Sequence, residues 1–259
     1  MAIVQADGAA IDVEQRGAGR DLVLLHSLLT DRSVFDRAVP ELAATRRLWL
    51  VNLPGYGASA PAGTDIESYA ERIASLLDAL RLPRNTDVLG NGFGGFVAVA
   101  LAARHGERIG RLVAAPALRT FPEPAKPPFQ RLAGLASSQG MAAVLDLAIE
   151  RMLPQAFIDR NPGIVAERKR ALEKADPACF ATACRALAKL DFSPVLEKIT
   201  SPTLVMVGSL DATTPPALAR ELAAGIRGAR FCEIPGCGHC PQLEEPRAFA
   251  AAVEEFLSA

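Results

Sequence analysis

At 259 residues, half of them apolar, the chain is long enough for one large α/β domain, alone or with an insertion. Its 28 basic and 29 acidic side chains are spread without long runs, which argues against a nucleic-acid or anionic-membrane partner. The chain has no apolar run near the roughly 20 residues of a membrane span and no secretory signal in MAIVQADGAAIDVEQRG, and its five cysteines do not suit a secreted disulfide framework, so a cytoplasmic protein is expected.

Residues 2–16 read as two short strands joined at Asp7-Gly8, a hairpin signal. The run DLVLLH, 21–26, predicts a strand covered on both faces. Asp31 or Ser33 is placed to cap a helix through about Ala44, and 47–53 is the next strand, ended by Pro54-Gly55-Tyr56-Gly57. Ile66, Tyr69, Ile73, Leu76, Leu77 and Leu80 fall at helical spacing and predict a helix over 65–81. TDVLGNGFGGFVAVALAA, 86–103, reads as a buried strand, a glycine turn and a helix; 111–115 is a further strand. The alternation stops near Ala117. From Thr120 to Ser193 helix follows helix, with helices expected over 139–153, 162–175 and 177–190 behind a cluster of Pro122, Pro124, Pro127 and Pro128. Strand 203–208, helix 216–226, strand 230–234 and helix 245–257 then resume the alternation. This order predicts an α/β fold, a mostly parallel doubly wound sheet with helices on both faces. Its core would be 1–119 and 195–259, and the insertion 120–194 a helical cap over the carboxyl ends of the strands, where ligands bind in such sheets.

The turn inside 86–103 carries the chemistry. Gly90-Asn91-Gly92-Phe93-Gly94 has the Gly-x-Ser-x-Gly pattern of a nucleophile elbow, with Gly92 at its centre in place of serine. Four further segments fit around it: LVLLHSLLTD (22–31), NLPGYGASA (52–60), TLVMVGSLDATTPP (203–216) and IPGCGHCPQLEEP (234–246). Together they resemble the α/β-hydrolase fold family over nearly the whole chain: its strand and oxyanion loop, its Asp-x-Pro-Gly-x-Gly-x-Ser loop, its acid at Asp211 and its histidine at His239. The His-Ser-Leu-x-Thr-Asp form of the first loop is similar to the 3-oxoadipate enol-lactonase branch. The chain departs from the pattern at Ser27, where Gly is usual, at Asn52, where Asp is common, and at Gly92, where the nucleophile belongs.

The resemblance implies that Asp211 holds the tautomer of His239, a base, and that the backbone N–H groups of Leu28 and Phe93 face a developing oxyanion. Ser27 is read either as a further hydroxyl donor or as a loop-stabilising hydrogen bond. His26 is expected to order the oxyanion loop and His105 to be structural. An acyl-enzyme needs a side-chain nucleophile beside the histidine, and Gly92 offers none. The leading expectation is an enzyme acting on a small ester, lactone or related carbonyl compound, in which His239 activates a water in the space at Gly92 with no covalent intermediate, no cofactor and no metal. A ligand-binding member without catalysis, and a cofactor-independent lyase or proton-transfer enzyme, are the alternatives.

Two other patterns overlap these segments. Gly90-x-Gly92-x-x-Gly95 has dinucleotide-binding spacing, but the following strand, RLVAAPAL, offers no acid for a ribose. Cys237 and Cys240 have redox-motif spacing, but the chain ends too soon afterwards for a thioredoxin fold, and they read as small buried apolar residues. Cys240, beside the base, is the one whose exposure decides its reactivity. In the cap, Met141, Val144, Leu145, Leu147, Ile149 and Met152 are expected to pack on the core and to line part of the pocket with Phe93 and Leu28, while Arg119 and Lys126 are cations available to a substrate carboxylate.

Overall fold

The computed structural model describes residues 2–259. Strands β1 (Ala2–Ala6) and β2 (Ala9–Gly17) form the expected hairpin, turning at Asp7 and Gly8 with φ of 48° and 72°, the left-handed pair that a two-residue turn of this twist demands. With β3 (Arg20–Leu25), β4 (Arg46–Val51), β5 (Thr86–Gly90), β6 (Ile109–Ala114), β7 (Thr203–Gly208) and β8 (Arg230–Ile234) they make one sheet ordered β1-β2-β4-β3-β5-β6-β7-β8. β1 and β2 pair antiparallel, as do β2 and β4; every later pairing is parallel. Every residue of β5 and β7 is buried because helices cover both faces, which is why these strands read as apolar runs and not as alternations.

The helix over Ile66–Ala79 is capped by the Asp65 side chain, which accepts from the Ser68 N–H. It packs against the helix over Phe93–Arg104, which also lies on β5 and β6 and is buried along nearly its whole length, so apolar side chains surround it. Among the described residues no helix is long and apolar enough to cross a membrane.

Two expectations about helices need correction. The segment after Asp31 is not one helix to Ala44: Asp31 caps only a short 3-10 turn, Arg32–Phe35, and a separate turn of α-helix spans Val39–Leu42. Pro40 has no N–H to continue a helix and fits only in a first turn. The helix expected over 139–153 is split at Gly140 (φ 78°), which ends the helix Pro127–Gln139; the next helix is Leu145–Met152. The prolines read as a block opener thus start a helix of their own. Helices Gln155–Arg160, Pro162–Glu173 and Pro177–Lys189 complete the segment between β6 and β7, with 127–139 and 177–189 packed along each other.

The turn after β5 is fastened to the loop after β3. The Asn91 N–H donates to Leu25 O at 2.8 Å and the Gly94 N–H to His26 O at 2.9 Å. The backbones come so close that a Cβ on Gly94 would lie 2.7 Å from His26 O and nearer still to Leu25 O, and one on Gly95 would lie 2.6 Å from Pro116 O. Of the Gly90-x-Gly92-x-x-Gly95 spacing, Gly90, whose Cβ would meet Gly94 O, and Gly95 are accounted for by backbone contact. Gly94→Ala is expected to lower the urea midpoint by the equivalent of about 1–3 kcal/mol, since neither backbone can retreat. Gly134→Ala, where a Cβ meets nothing within 4 Å on a helix, should raise it by about 0.5–1 kcal/mol.

Candidate active site

The loops that leave β3, β5, β7 and β8 meet at the carboxyl ends of these parallel strands. β5 turns into its helix through Gly92, whose φ of 52° and ψ of −115° are conformations that L side chains tolerate poorly. The loop after β7 brings Asp211 and the loop after β8 brings His239, both buried, with His239 Nδ1 2.9 Å from Asp211 Oδ2. Asp211 Oδ1 accepts the N–H groups of Thr213 (2.8 Å) and Thr214 (2.9 Å), and Thr214 Oγ1 donates to Oδ2 while standing 3.1 Å from His239 Nδ1. Burial alone would raise the Asp211 carboxyl, but the charge and hydrogen bond of His239 and the bonds from Thr214 outweigh it and hold it below the usual carboxylate range. In the tautomer that gives Nδ1–H to this carboxylate, Nε2 carries a free lone pair.

The histidine is fixed from several sides. Its N–H donates to Met152 O at 2.9 Å, in the helical segment between β6 and β7, and its carbonyl accepts from Asn91 Nδ2 at 3.0 Å, inside the elbow. The Glu244 carboxylate accepts the N–H groups on either side of it, Gly238 at 2.8 Å and Cys240 at 3.2 Å. Burial pushes the Glu244 carboxyl up to about 7 despite those two bonds, which favour the charged form.

Nε2 of His239 faces Gly92 and Ser27. Ser27 Oγ lies 3.5 Å from Nε2, and a Cβ built on Gly92 would lie 2.6 Å from Nε2 and 2.5 Å from Ser27 Oγ. Ser27, His239 and Gly92 thus converge on one point, with ≈ 20 Å³ of open cavity beside it, the room of about one water. The N–H groups of Leu28 and Phe93 have no partner among the described residues. The carbonyl of Ser27 accepts from Thr30 N (3.2 Å), Thr30 Oγ1 (3.1 Å) and His26 Nδ1 (2.8 Å), so the opposed N–H of Leu28 is turned the other way, toward the cavity that Leu28 lines. Phe93 is the first residue of its helix, where an N–H has no intrahelical acceptor. His26 orders this loop as expected. It accepts from Leu53 N at 3.0 Å, and burial pushes it down to about 4, so it is neutral. His105 stands apart from the site, paired with Glu71 at 2.9 Å.

The cavity walls are mostly apolar: Leu28, Leu29, Phe93, Phe96, Phe121, Phe129, Leu132 and Leu187. Of the cap residues expected to line it, none does; Leu147 borders an outer groove and Met152 a cleft beside His239, while Met141, Val144 and Ile149 are buried and Leu145 is partly buried against the core. Arg119 and Lys126 do not line it either, being paired with Glu221 and Glu123. The cation at the cavity is Arg151, stacked 5.2 Å over the Phe129 ring, with no side-chain hydrogen bond or ion pair among the described residues. Arg151 and Leu132 also border the outer groove, ≈ 580 Å³, so they form the partition between the two spaces. Asn52 ties its loop down, donating to Asp12 and accepting from the Arg32 N–H.

Cys237 and Cys240 are separate buried thiols, pushed up to about 12 and further by burial, which leaves them unreactive. Among the described residues no group of three or more His, Cys, Asp or Glu could hold a metal ion. The sequence reading missed Asn91, Thr214, Glu244 and Arg151. The turn at Asp211 had a signal, since Asp side chains accept from the backbone two residues on, here Thr213; Arg151 had none, because only the packing of its helix brings it to the cavity.

Residues 22–252 match the alpha/beta hydrolase family. The chain belongs to this family. It is 31% identical to the pimeloyl-[acyl-carrier protein] methyl ester esterase of Aromatoleum aromaticum over 92% of this chain and 98% of that one. It is 28% identical to 3-oxoadipate enol-lactonase 2 of Acinetobacter baylyi, over 91% and 88%. Among solved structures, the enol-lactonase of Burkholderia xenovorans superposes with a TM-score of 0.92 at 30% identity, covering all of both chains. The sheet and its covering helices are thus the α/β-hydrolase fold expected from the five segments.

Glu244 offers a test of how this family member holds its histidine loop. A carboxyl raised in the folded state costs stability as pH climbs from its unfolded value, 4.5, through about 7, because only the folded state keeps the proton. His26, lowered by burial, gives the opposite slope between 6.5 and about 4, so the comparison must be made between two proteins at each pH. The stability of Glu244→Gln relative to the unaltered protein is expected to improve steadily from pH 4.5 to 7, measured by urea unfolding, and to be flat above that.

Proposed function

We infer that the protein hydrolyses a small ester or lactone, with the His239–Asp211 pair as its base, water as co-substrate, and no serine at the elbow. The observation that carries this reading is convergence: a buried, oriented Nε2 lone pair and two free backbone N–H groups, Leu28 and Phe93, address one small cavity. A carbonyl seated there would have its oxygen on those donors, each worth about 2.7–4 kcal/mol of transition-state stabilisation in such sites. Loss of one member of a triad leaves positioning and oxyanion donors in place, so Gly92 does not by itself abolish catalysis. The names of the relatives, an esterase and enol-lactonases, support the same substrate class.

The helical segment between β6 and β7 acts as a lid in this reading. The inner cavity is too small for a substrate, so entry takes movement of the partition formed by Leu132 and Arg151. Arg151 suits a substrate that carries an acid group as well as the scissile carbonyl: its guanidinium is charged, and no carboxylate of the described residues lies within ion-pair distance of it, though the charge of Asp211 is felt there.

A panel of small esters and lactones, with and without a remote carboxylate, tests both points. Turnover is expected in the unaltered protein and should fall about 10²–10⁴-fold in kcat in His239→Ala. Equal residual rates in the two proteins would instead mark a pocket that binds without catalysis. Arg151→Met is expected to raise KM for the carboxylate-bearing members more than for their neutral methyl esters.

A further inference from the structure

We propose that Ser27 is the nucleophile of this protein: its hydroxyl, on the loop after β3, takes the place in the cleft that an elbow serine would occupy and accepts the acyl group of the ester or lactone. The proposal rests on the reading of His239–Asp211 as a base and supplies the group that this base deprotonates first.

Four observations carry it. Ser27 Oγ lies 2.5 Å from where a Cβ of residue 92 would be, so the hydroxyl sits almost where a side chain leaving the elbow would begin. Its hydroxyl partner is Nε2 of His239 at 3.5 Å, and it makes no bond to its own loop; the loop is held by the Ser27 carbonyl instead. That separation is long for a hydrogen bond, as nucleophile–base pairs often are before substrate binds. The pair is buried and Nδ1 is engaged by Asp211, which leaves Nε2 as the acceptor for the Ser27 proton.

The fourth observation is the symmetry of the oxyanion donors. The elbow arrangement uses the N–H of the residue after the nucleophile and a second N–H from the facing loop. With the hydroxyl moved across the cleft, the residue after the nucleophile is Leu28 and the facing segment supplies Phe93, so the same two free N–H groups serve with their roles exchanged.

The reaction balances without a further reagent. Ser27 Oγ bonds to the carbonyl carbon as its proton passes to Nε2, and the carbonyl electron pair moves onto the oxygen held by Leu28 and Phe93. Collapse restores the C=O and breaks the bond to the leaving oxygen, which takes the proton from the imidazolium; in a lactone this oxygen stays tethered as a hydroxyl. Water then attacks the Ser27 ester, giving its proton to Nε2, and that proton returns to Ser27 Oγ as the carboxylic acid leaves.

A fluorophosphonate probe, with intact mass and peptide mapping, tests the assignment directly. One adduct is expected, on Ser27, lost in Ser27→Ala and in His239→Ala. Ser27→Ala should lower kcat on the ester panel by about 10²-fold or more with its thermal midpoint kept. Ser27→Gly, which places the family's usual residue there, provides the second variant. No adduct on Ser27 in the unaltered protein, an adduct elsewhere, or His239-dependent turnover that persists in both Ser27 variants would overturn the proposal, and the last result would leave the hydrolase reading intact. An adduct on Ser27 in a protein that turns over no member of the panel would uphold the nucleophile while removing that reading.

Discussion

The site depends on one close crossing of backbones. The turn after β5 and the loop after β3 are joined by hydrogen bonds from Asn91 to Leu25 O and from Gly94 to His26 O, at a distance that excludes a side chain on Gly94. Because the two segments cannot separate, Ser27 and Gly92 face each other, and the peptide groups ahead of Leu28 and Phe93 both have their carbonyls engaged on the side away from the cavity. The N–H groups are left free by the same bonds that hold the fold. In the proposed reaction this amounts to preorganisation: donors oriented before a substrate arrives would need no reorganisation as charge develops.

The second dependence is electrostatic. A buried carboxylate and imidazole lose hydration, and pairing offsets that loss only when the remaining lone pairs are also satisfied. Asp211 meets this condition through Thr213, Thr214 and His239 together. His239 is in turn held by main-chain bonds to Met152 and from Asn91, and by the Glu244 carboxylate bridging the N–H groups beside it. Those contacts come from the elbow, the segment between β6 and β7, and the short helix Pro241–Glu244. His239 is therefore tied to the helical segment through the bond from its main-chain N–H to Met152 O.

The core strands and helices are legible in the sequence because buried parallel strands and amphipathic helices leave strong periodic patterns: the strands 203–208 and 230–234 coincide with their expected bounds, and the helix 66–79 nearly does. The helical segment between β6 and β7 was less legible. Its helices are short, several begin at proline, and Gly140 separates two of them in a stretch whose apolar spacing reads as continuous. Residues lining the cavity from this segment, Phe129, Leu132, Arg151 and Leu187, are set by the docking angles of those helices, which no local pattern encodes.

By itself the sequence determined the α/β-hydrolase frame, the order of elbow, acid and histidine, and the absence of a side chain at Gly92, since each is written in local turn chemistry and strand–loop spacing. What Ser27 faces was decided only by the tertiary structure. In the chain it is 65 residues from Gly92 and 212 from His239, and its hydroxyl reads equally as a further oxyanion donor or as a loop hydrogen bond. The sheet order, β3 beside β5 with β7 and β8 beyond β6, brings the three together, and the glycine crossing fixes the distance between them. A side chain's partner across a cleft is a product of strand order and backbone approach, and these exist only once the chain has folded.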